Sequence, residues 1–328
     1  MTSSKGIALV DLDDDGVDHA FRADVLEGLT QEQKAIPARW FYDETGSQLF
    51  EEITQLPEYY PTRAETEILR ARCAEFVALI APGSAVVEFG SGSSVKTPIL
   101  LDCIAPGAYV PLDISGDFLR ASAKQLSAKF PGLPVYPVEA DFMRQVALPD
   151  EVSGLPKVGF FPGSTIGNMV ARTSVDLLRS MRETLGEGAK LLIGMDLIKD
   201  PQILEAAYDD AAGVTAKFNR NLVTRINREL DGDIPEDLLA HEARWVDEFA
   251  RIEMHLVAQE DMSFEVSGRR FAMKRGESIH TENSHKFERR TSTTLLLAGG
   301  WTPIRRWLDT EERFSLILAE ATIPRSAP

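Results

Sequence analysis

Ala85-Val86-Val87-Glu88-Phe89-Gly90-Ser91-Gly92-Ser93-Ser94 reads as a buried strand that runs into a tight glycine turn. The apolar run before the turn, rich in β-branched residues, has the composition of an interior strand. Gly90 and Gly92 carry no Cβ, so the backbone turns sharply there and lets a ligand approach closely. Pro98 suits the first turn of a following helix, where its missing N–H costs nothing. Strand, glycine turn and helix in that order form the mouth of a nucleotide-type site, with Glu88 expected to point into the ligand crevice. A Gly-x-Gly pair also occurs in ordinary β–α turns, so the neighbouring segments decide.

Outward from this stretch the chain alternates. Thr62-Arg63-Ala64-Glu65 has the form of a capping box, and Leu69, Cys73, Phe76, Val77 and Ile80 follow at helical spacing. Strands are expected at 109–113, 135–138, 158–161 and 190–195. Helices fall between them: one near 98–104, one with Leu119, Ala123, Leu126 and Phe130 inward, and one capped near Thr173 with Leu177, Leu178, Met181 and Leu185 inward. Such alternation predicts an α/β fold, a largely parallel sheet with helices on both faces. Trp301 to Trp307 and Phe314 to Leu318 read as a closing strand pair.

The rhythm stops after Asp200-Pro201, a cap and first-turn pair. A long helical stretch carries Leu204, Ala207, Tyr208, Ala211, Phe218, Leu222 and Ile226. Residues 243–275 then look antiparallel, with Ile252, Met254 and Leu256 on one strand face and a hairpin around Gly268. Residues 1–62 hold a short helix from Val17 to Leu29 and the aromatic clusters Trp40-Phe41-Tyr42-Asp43 and Glu58-Tyr59-Tyr60-Pro61. Pro61 is expected to hold Tyr60 extended. The resulting division is a sheet domain of 63–198 with 288–328, and a second α+β domain of 1–62 with 199–287.

The net charge of −16, from 51 acidic and 35 basic residues, argues against nucleic acid or an anionic membrane surface as partner. No stretch approaches the ~20 apolar residues of a membrane span. The acidic start, with Asp11, Asp13, Asp14 and Asp15, is not a secretory signal. A cytoplasmic monomer is expected. Cys73 and Cys103 read as small buried apolar residues in a reducing compartment and not as a disulfide. The histidines form no HxxxH pair, His280 and His285 are poorly spaced for one helical face, and no cysteine cluster exists, so no metal is expected.

Two ligand classes fit strand, glycine turn and helix. A dinucleotide needs a third glycine where this chain has Val95, which disfavours a nicotinamide dehydrogenase. Asp113, at the end of the second strand, suits ribose hydroxyls, and Asp141-Phe142 after the third offers a carboxylate and a ring face to adenine. Carboxylates at Glu88, Asp113 and Asp141 repel a pyrophosphate and tolerate a sulfonium, which favours S-adenosylmethionine. The competing reading makes Asp113 and Asp141 helix caps.

The chain also carries Leu56-Pro57-Glu58-Tyr59-Tyr60-Pro61-Thr62-Arg63, Gly163-Ser164-Thr165-Ile166-Gly167-Asn168, Ala207-Tyr208-Asp209-Asp210-Ala211-Ala212-Gly213-Val214-Thr215, Arg251-Ile252-Glu253-Met254 and Thr281-Glu282-Asn283-Ser284-His285-Lys286-Phe287. With Trp40-Phe41-Tyr42-Asp43 and Gly90-Ser91-Gly92, these segments resemble the histidine Nα-methyltransferases of ergothioneine biosynthesis, from about residue 24 to about residue 320. The resemblance implies a Rossmann-like class I methyltransferase domain beside a substrate-binding domain. It implies transfer of three methyl groups in turn from S-adenosylmethionine to the α-nitrogen of L-histidine, through mono- and dimethyl intermediates, to hercynine. Gly90, Lys96, Asp113, Asp141 and Phe142 match the family's cofactor contacts, and the reading of the turn adds Glu88 and Gly92. Tyr59, Asn168, Tyr208, Glu282 and Ser284 match its histidine contacts. Tyr42, Gly163, Thr165 and Met254 are further pocket-wall positions, and Asn283 lies among them.

These roles make physical sense. Asn168 offers donor and acceptor to the amine and carboxylate end, and the Tyr208 hydroxyl can donate to the carboxylate. Glu282 and Ser284 share a face of an extended segment and suit the two imidazole nitrogens. No dedicated base is identified; Tyr42 or Tyr59, or water held by them, is the candidate. His285 has no assigned role. The rival readings are an enzyme of the same family acting on another amino acid such as tryptophan, against which Glu282 speaks, and a non-catalytic S-adenosylmethionine sensor.

Overall fold

The computed structural model describes residues 18–92, 96–114 and 116–321. Val17, residues 93–95 of the glycine loop and the end of the expected 288–328 segment lie outside the described residues. The chain divides into two compact units: Tyr60–Asp200, Phe249–Arg251 and Ser284–Pro328 form the larger, and Met1–Tyr59, Pro201–Glu248 and Ile252–Asn283 form the smaller.

The larger unit is built on a seven-stranded sheet. Its strands are β1 (Ala85–Phe89), β2 (Ala108–Asp113), β3 (Val138–Glu139), β4 (Lys157–Phe161), β5 (Lys190–Asp196), β6 (Trp301–Leu308) and β7 (Phe314–Ala321). They lie in the order β6-β7-β5-β4-β1-β2-β3. β1 pairs in parallel with both β2 and β4, whereas β7 runs antiparallel to its neighbours β5 and β6. Parallel neighbours need crossovers, which the helices Thr97–Ile104, Gly116–Lys129 and Ala171–Leu185 supply. Strand order reverses at β1, so the glycine turn after it sits at the switch point of a Rossmann-like sheet.

Every residue of β1 is buried, as expected for a strand covered on both faces. Val87, Phe89, Leu112 and Ile193 pack with Leu177 and Met181 in one core cluster. Val86, Phe160, Leu192 and Leu316 pack with Ile68 and Phe76 in the other. β3 is shorter than the expected 135–138 strand. Val135 makes only an isolated bridge to Tyr109, and Pro137, lacking an N–H, interrupts the ladder.

Four expectations about the helices are corrected. The helix Tyr60–Ala71 already begins at Tyr60, with Pro61 in its first turn, so Tyr60 is not held extended and 62–65 is no capping box. Glu65 is instead fully buried, its carboxylate used by Lys96 and by the Gly163 N–H. The helix Ala171–Leu185 starts after Val170, which makes no side-chain cap, and Thr173 lies within it. The long stretch after Pro201 is two helices, Pro201–Tyr208 and Val214–Glu229. Gly213 takes φ of 72° between them, and the Asp210 carboxylate caps the second by accepting from the N–H groups of Val214 and Thr215.

Cys73 and Cys103 are joined in a disulfide, contrary to the sequence expectation. Packing of the helices Cys73–Leu79 and Thr97–Ile104 brings their Cα atoms to 5.5 Å, a proximity that no spacing pattern reveals. Both residues are half-buried. Closing a loop of 30 residues contributes about 3–4 kcal/mol in the chain-entropy account. Reductant should therefore lower the unfolding midpoint. Thiol titration of protein denatured without reductant should find neither cysteine free; titration of both would refute the bond.

The smaller unit has a four-stranded sheet in the order Lys34–Ala35, Ser278–His285, Arg251–Ala258, Leu239–Val246. The chain passes to the larger unit within the second of these strands, after Asn283. A hairpin of Met262–Val266 and Arg269–Met273 turns through Ser267 and Gly268, both at positive φ, as a type I′ turn requires. The expected first helix spans His19–Gly28, capped by the Asp18 carboxylate. The unforeseen helix Glu44–Gln55 packs on Val214–Glu229 through Phe50 and Phe218, and the Phe41 ring lies tilted against Phe218 with centroids 4.5 Å apart. Among the described residues no helix is long and apolar enough to cross a membrane.

Candidate active site

At the carboxyl end of β1 in the larger unit, Gly90 adopts φ of 73°, a region that L side chains rarely enter. A Cβ there would lie 3.5 Å from the Phe142 ring. A Cβ on Gly92 would meet nothing within 4 Å, so the turn presents bare backbone to an open space beside an aromatic edge. The Gly92 N–H donates to Asp113 Oδ2 at 3.3 Å, which links the turn to the end of β2. Phe142 is held against Phe89 and Phe161, with ring centroids at 6.1 and 6.3 Å. Asp141 is exposed and caps its own turn by accepting from the Met143 N–H. The structure therefore brings Gly90, Gly92, Asp113 and Phe142 together.

Glu88 differs from its expectation. It is fully buried, and its carboxylate accepts from the hydroxyls of Thr97 and Tyr109. Strand parity explains this: Glu88 shares the side of Val86, which faces a closed core. Burial, together with the Glu88 charge, pushes the Tyr109 phenol well above its ordinary value, so it remains a donor. Lys96 is also engaged, in an ion pair of 2.7 Å with Glu65.

The 163–168 loop follows β4. Gly163 and Ser164 both take positive φ, a sharp reversal fixed by two bonds. The Gly163 N–H donates to Glu65 at 2.8 Å, and Ser164 Oγ accepts from the Asp196 N–H at 2.9 Å. Thr165 is exposed and donates to the Pro162 carbonyl, while Asn168 is half-buried at the end of the loop. His285, unassigned from sequence, pairs through Nδ1 with the Gly167 carbonyl at 2.8 Å. A Cβ on Gly167 would come within 2.7 Å of the His285 carbonyl, so this loop and the segment around Ser284 approach more closely than any side chain permits.

Behind Ser284 lies a buried charge network that the sequence did not disclose. Asp196 accepts from the Tyr60 hydroxyl and pairs with Lys199 and Lys286 at 2.7 and 2.8 Å. Lys286 also donates to Ser284 Oγ at 2.8 Å. Burial alone would raise the Asp196 carboxyl, but the two ammonium groups hold it below the usual range. Burial brings Lys199 down to about 8, against the pull of Asp196. The advance signals were Tyr60 inside the segment Leu56–Arg63 and Lys286 inside the segment Thr281–Phe287.

In the smaller unit, Tyr59 and Tyr208 are buried with ring centroids 6.2 Å apart, and Phe50 joins Tyr59 to Tyr42. Asp43 fixes the Tyr42 segment: it caps the helix Glu44–Gln55 and accepts from Asn221 and Arg228. Burial would raise its carboxyl, yet these bonds bring it below the usual range. Tyr42 as a residue is 41% exposed, but burial of its hydroxyl, with Glu282, Tyr59 and Tyr208 nearby, pushes the phenol well above its ordinary value. The hydroxyl thus shares an electrostatic environment with three other expected site residues.

Met254 is buried, and its carbonyl accepts from the Thr281 hydroxyl. Asn283 keeps a buried Oδ1 with no hydrogen-bond partner among the described residues. Glu253, His255 and His280 bring ligand-type atoms within 4.8 Å of one another, with His255 bonded to Glu253 and Ser278. Adjacent strands create this cluster, so the helical spacing rules used on the sequence could not find it.

Residues 21–321 match the family described as histidine-specific methyltransferase, SAM-dependent. The chain is 40% identical over 315 residues to the histidine N-alpha-methyltransferase of Mycolicibacterium smegmatis, covering 93% of this chain and 96% of that protein. It is 41% identical over 306 residues to the histidine N-alpha-methyltransferase of Mycobacterium tuberculosis, covering 92% and 94%. Over 203 residues it is 32% identical to ergothioneine biosynthesis protein 1 of Neurospora crassa, covering 59% of this chain and 23% of that protein. A glycine turn at the switch point of a Rossmann-like sheet and a match through nearly the whole chain lead to one assignment: this chain belongs to the family of histidine-specific, S-adenosylmethionine-dependent methyltransferases.

Proposed function

We propose that the protein transfers three methyl groups in turn from S-adenosylmethionine to the α-amino nitrogen of L-histidine, giving Nα,Nα,Nα-trimethylhistidine as the first step of ergothioneine biosynthesis. The observation that carries this reading is the 40% identity to a histidine N-alpha-methyltransferase across 93% of the chain. The turn fits the cofactor, because bare backbone at Gly90 and Gly92 opens beside Phe142 and Asp113. In this reading the larger unit binds S-adenosylmethionine and the smaller supplies most histidine contacts. Gly90, Gly92, Asp113, Asp141 and Phe142 hold the cofactor. Glu88 braces the turn through Thr97, and Lys96 is oriented by Glu65.

When bound, S-adenosylmethionine supplies a methyl group on a positively charged sulfur. The protein's task is alignment of the amine with it. Asn168 and Tyr208 hold the amine and carboxylate end, Glu282 and Ser284 read the imidazole, and Tyr42, Tyr59, Gly163, Thr165, Met254 and Asn283 shape the pocket. The third methylation leaves a nitrogen without a lone pair, which ends the reaction. Mass spectrometry of an amino-acid mixture incubated with enzyme and S-adenosylmethionine tests the reading. Histidine should gain three methyl groups and tryptophan none; methylation of another amino acid in preference to histidine would sink it.

Tyr42 acts here as a hydrogen-bond donor and not as a base. Its raised pKa means that the phenol keeps its proton through neutral and mildly alkaline pH. Tyr42→Phe should therefore slow turnover by about 10–100-fold, the scale of one lost hydrogen bond. It should leave the ionisation on the rising limb of the pH–rate profile in place. Loss of that limb in the variant would reinstate Tyr42 as the base.

A further inference from the structure

We infer that His241 is a positioning residue for the substrate: its Nε2–H holds the Tyr208 carbonyl and so sets where the Tyr208 hydroxyl meets the histidine carboxylate. The inference rests on the reading of Tyr208 as a carboxylate contact. Tyr208 is the last residue of the helix Pro201–Tyr208. The last four carbonyls of a helix have no partner within it and must find one outside. Tyr208 is buried, and its carbonyl lies 2.8 Å from His241 Nε2. His241 belongs to the strand Leu239–Val246, so the sheet of the smaller unit anchors the helix end.

The direction of this bond follows from Asn219, on the helix Val214–Glu229. Asn219 is fully buried, and its side-chain amide lies 3.1 Å from the His255 carbonyl. A carbonyl only accepts, so the amide nitrogen must face it. The same nitrogen lies 2.9 Å from His241 Nδ1 and gives its second proton there. Turning the amide over would set two carbonyl oxygens against each other. Nδ1 therefore accepts, and the neutral ring carries its proton on Nε2, toward Tyr208. The Asp209 carboxylate is 3.9 Å from Nε2, beyond hydrogen-bond reach. Burial holds the imidazole below its ordinary value, against the pull of the Tyr208 carbonyl and Asp209, so the ring is uncharged at neutral pH.

The turn after Tyr208 is held too, since Asp210 accepts from the N–H groups of Val214 and Thr215. With its carbonyl bonded and the next turn capped, Tyr208 presents its ring against Tyr59, 6.2 Å away. Removing the Nε2 donor takes this partner from a buried helix-terminal carbonyl. The last turn then loosens, and the hydroxyl moves with it.

The test is calorimetric binding of L-histidine to enzyme saturated with S-adenosylhomocysteine, at about pH 7.5, above the ordinary histidine pKa of about 6.5. His241→Asn keeps an amide oxygen near the Nδ1 place for Asn219 but has no atom at the Nε2 place. It should raise Kd by about 10–100-fold, the scale of a lost hydrogen bond to a charged group. His241→Gln carries an amide nitrogen near the Nε2 place and should stay close to wild type. Tyr208→Phe should weaken binding on the same scale as His241→Asn, and the double variant should be little worse than Tyr208→Phe alone, as expected for residues that act through one contact. Unchanged affinity for S-adenosylhomocysteine reports an intact fold. Nitrogen NMR of histidine-labelled wild type, with the His241 signal assigned by its loss in His241→Gln, should show Nε2 protonated and Nδ1 bare. Wild-type affinity in His241→Asn overturns the proposal, as do full additivity with Tyr208→Phe and a proton on Nδ1. If His241→Asn does not fold, the NMR and His241→Gln decide, and lost histidine affinity in His241→Gln overturns the proposal. Unchanged histidine binding in Tyr208→Phe would instead overturn the reading of Tyr208, and absence of binding to wild type that of histidine as substrate.

Discussion

Glu282→Ala should lower kcat/KM for histidine by about 10²–10³-fold, the scale of a lost hydrogen bond to a charged group together with a ring N–H left unpaired. The same change should improve tryptophan relative to histidine. A carboxylate covered by a bound ring that has no donor in the matching place loses water without gaining that hydrogen bond, and a site built to bond its substrate in this way rejects such an analogue by about 10⁴–10⁵-fold. Removing the carboxylate removes the penalty along with the contact. Glu282 sits on the strand Ser278–His285 and acts electrostatically on Tyr42, so its charge is sensed by other residues of the proposed pocket. The measurement is kcat/KM for both amino acids on wild type and variant. A constant ratio between the two substrates would show that Glu282 does not read the ring.

Asp113→Ala should weaken binding of S-adenosylhomocysteine by about 10²–10⁴-fold, since a carboxylate that accepts from both ribose hydroxyls contributes roughly 1.5–3 kcal/mol per bond. The structure adds a second reason. Asp113 Oδ2 accepts from the Gly92 N–H, so the substitution also frees the glycine turn from the end of β2. Asp113→Asn separates the two effects: it keeps an acceptor for Gly92 while removing the charge, and should fall between wild type and Asp113→Ala. Calorimetry on folded variants checks this, and unchanged affinity in Asp113→Ala would take the residue out of the site.

Much of the larger unit was legible in the chain because its signals are local. A buried strand, a glycine turn and a helix occupy consecutive residues, and alternation of such units dictates a parallel sheet. The match of the motifs to a family likewise needed only the order of residues. What failed was anything set by packing between distant segments. Glu65 looked like a capping acid, yet Lys96 and the 163–168 loop claim its carboxylate. Glu88 looked like a ligand contact, yet its strand parity turns it into the core beside Tyr109.

Cys73 and Cys103 carried no framework spacing and are nonetheless joined, because two helices lie side by side. The same is true of the buried charges. Lys286, Asp196, Lys199 and Tyr60 come from three separate stretches of sequence, and nothing in any one of them marks a shared site. The sequence by itself determined the fold class, the family and the types of group available for recognition. Only the tertiary structure decided which of those groups are already engaged and with which partners, as Ser284 is with Lys286. The reason is physical: periodicity and turn chemistry are encoded over a few neighbouring residues, whereas pairing of buried polar groups depends on distances between residues far apart in the chain.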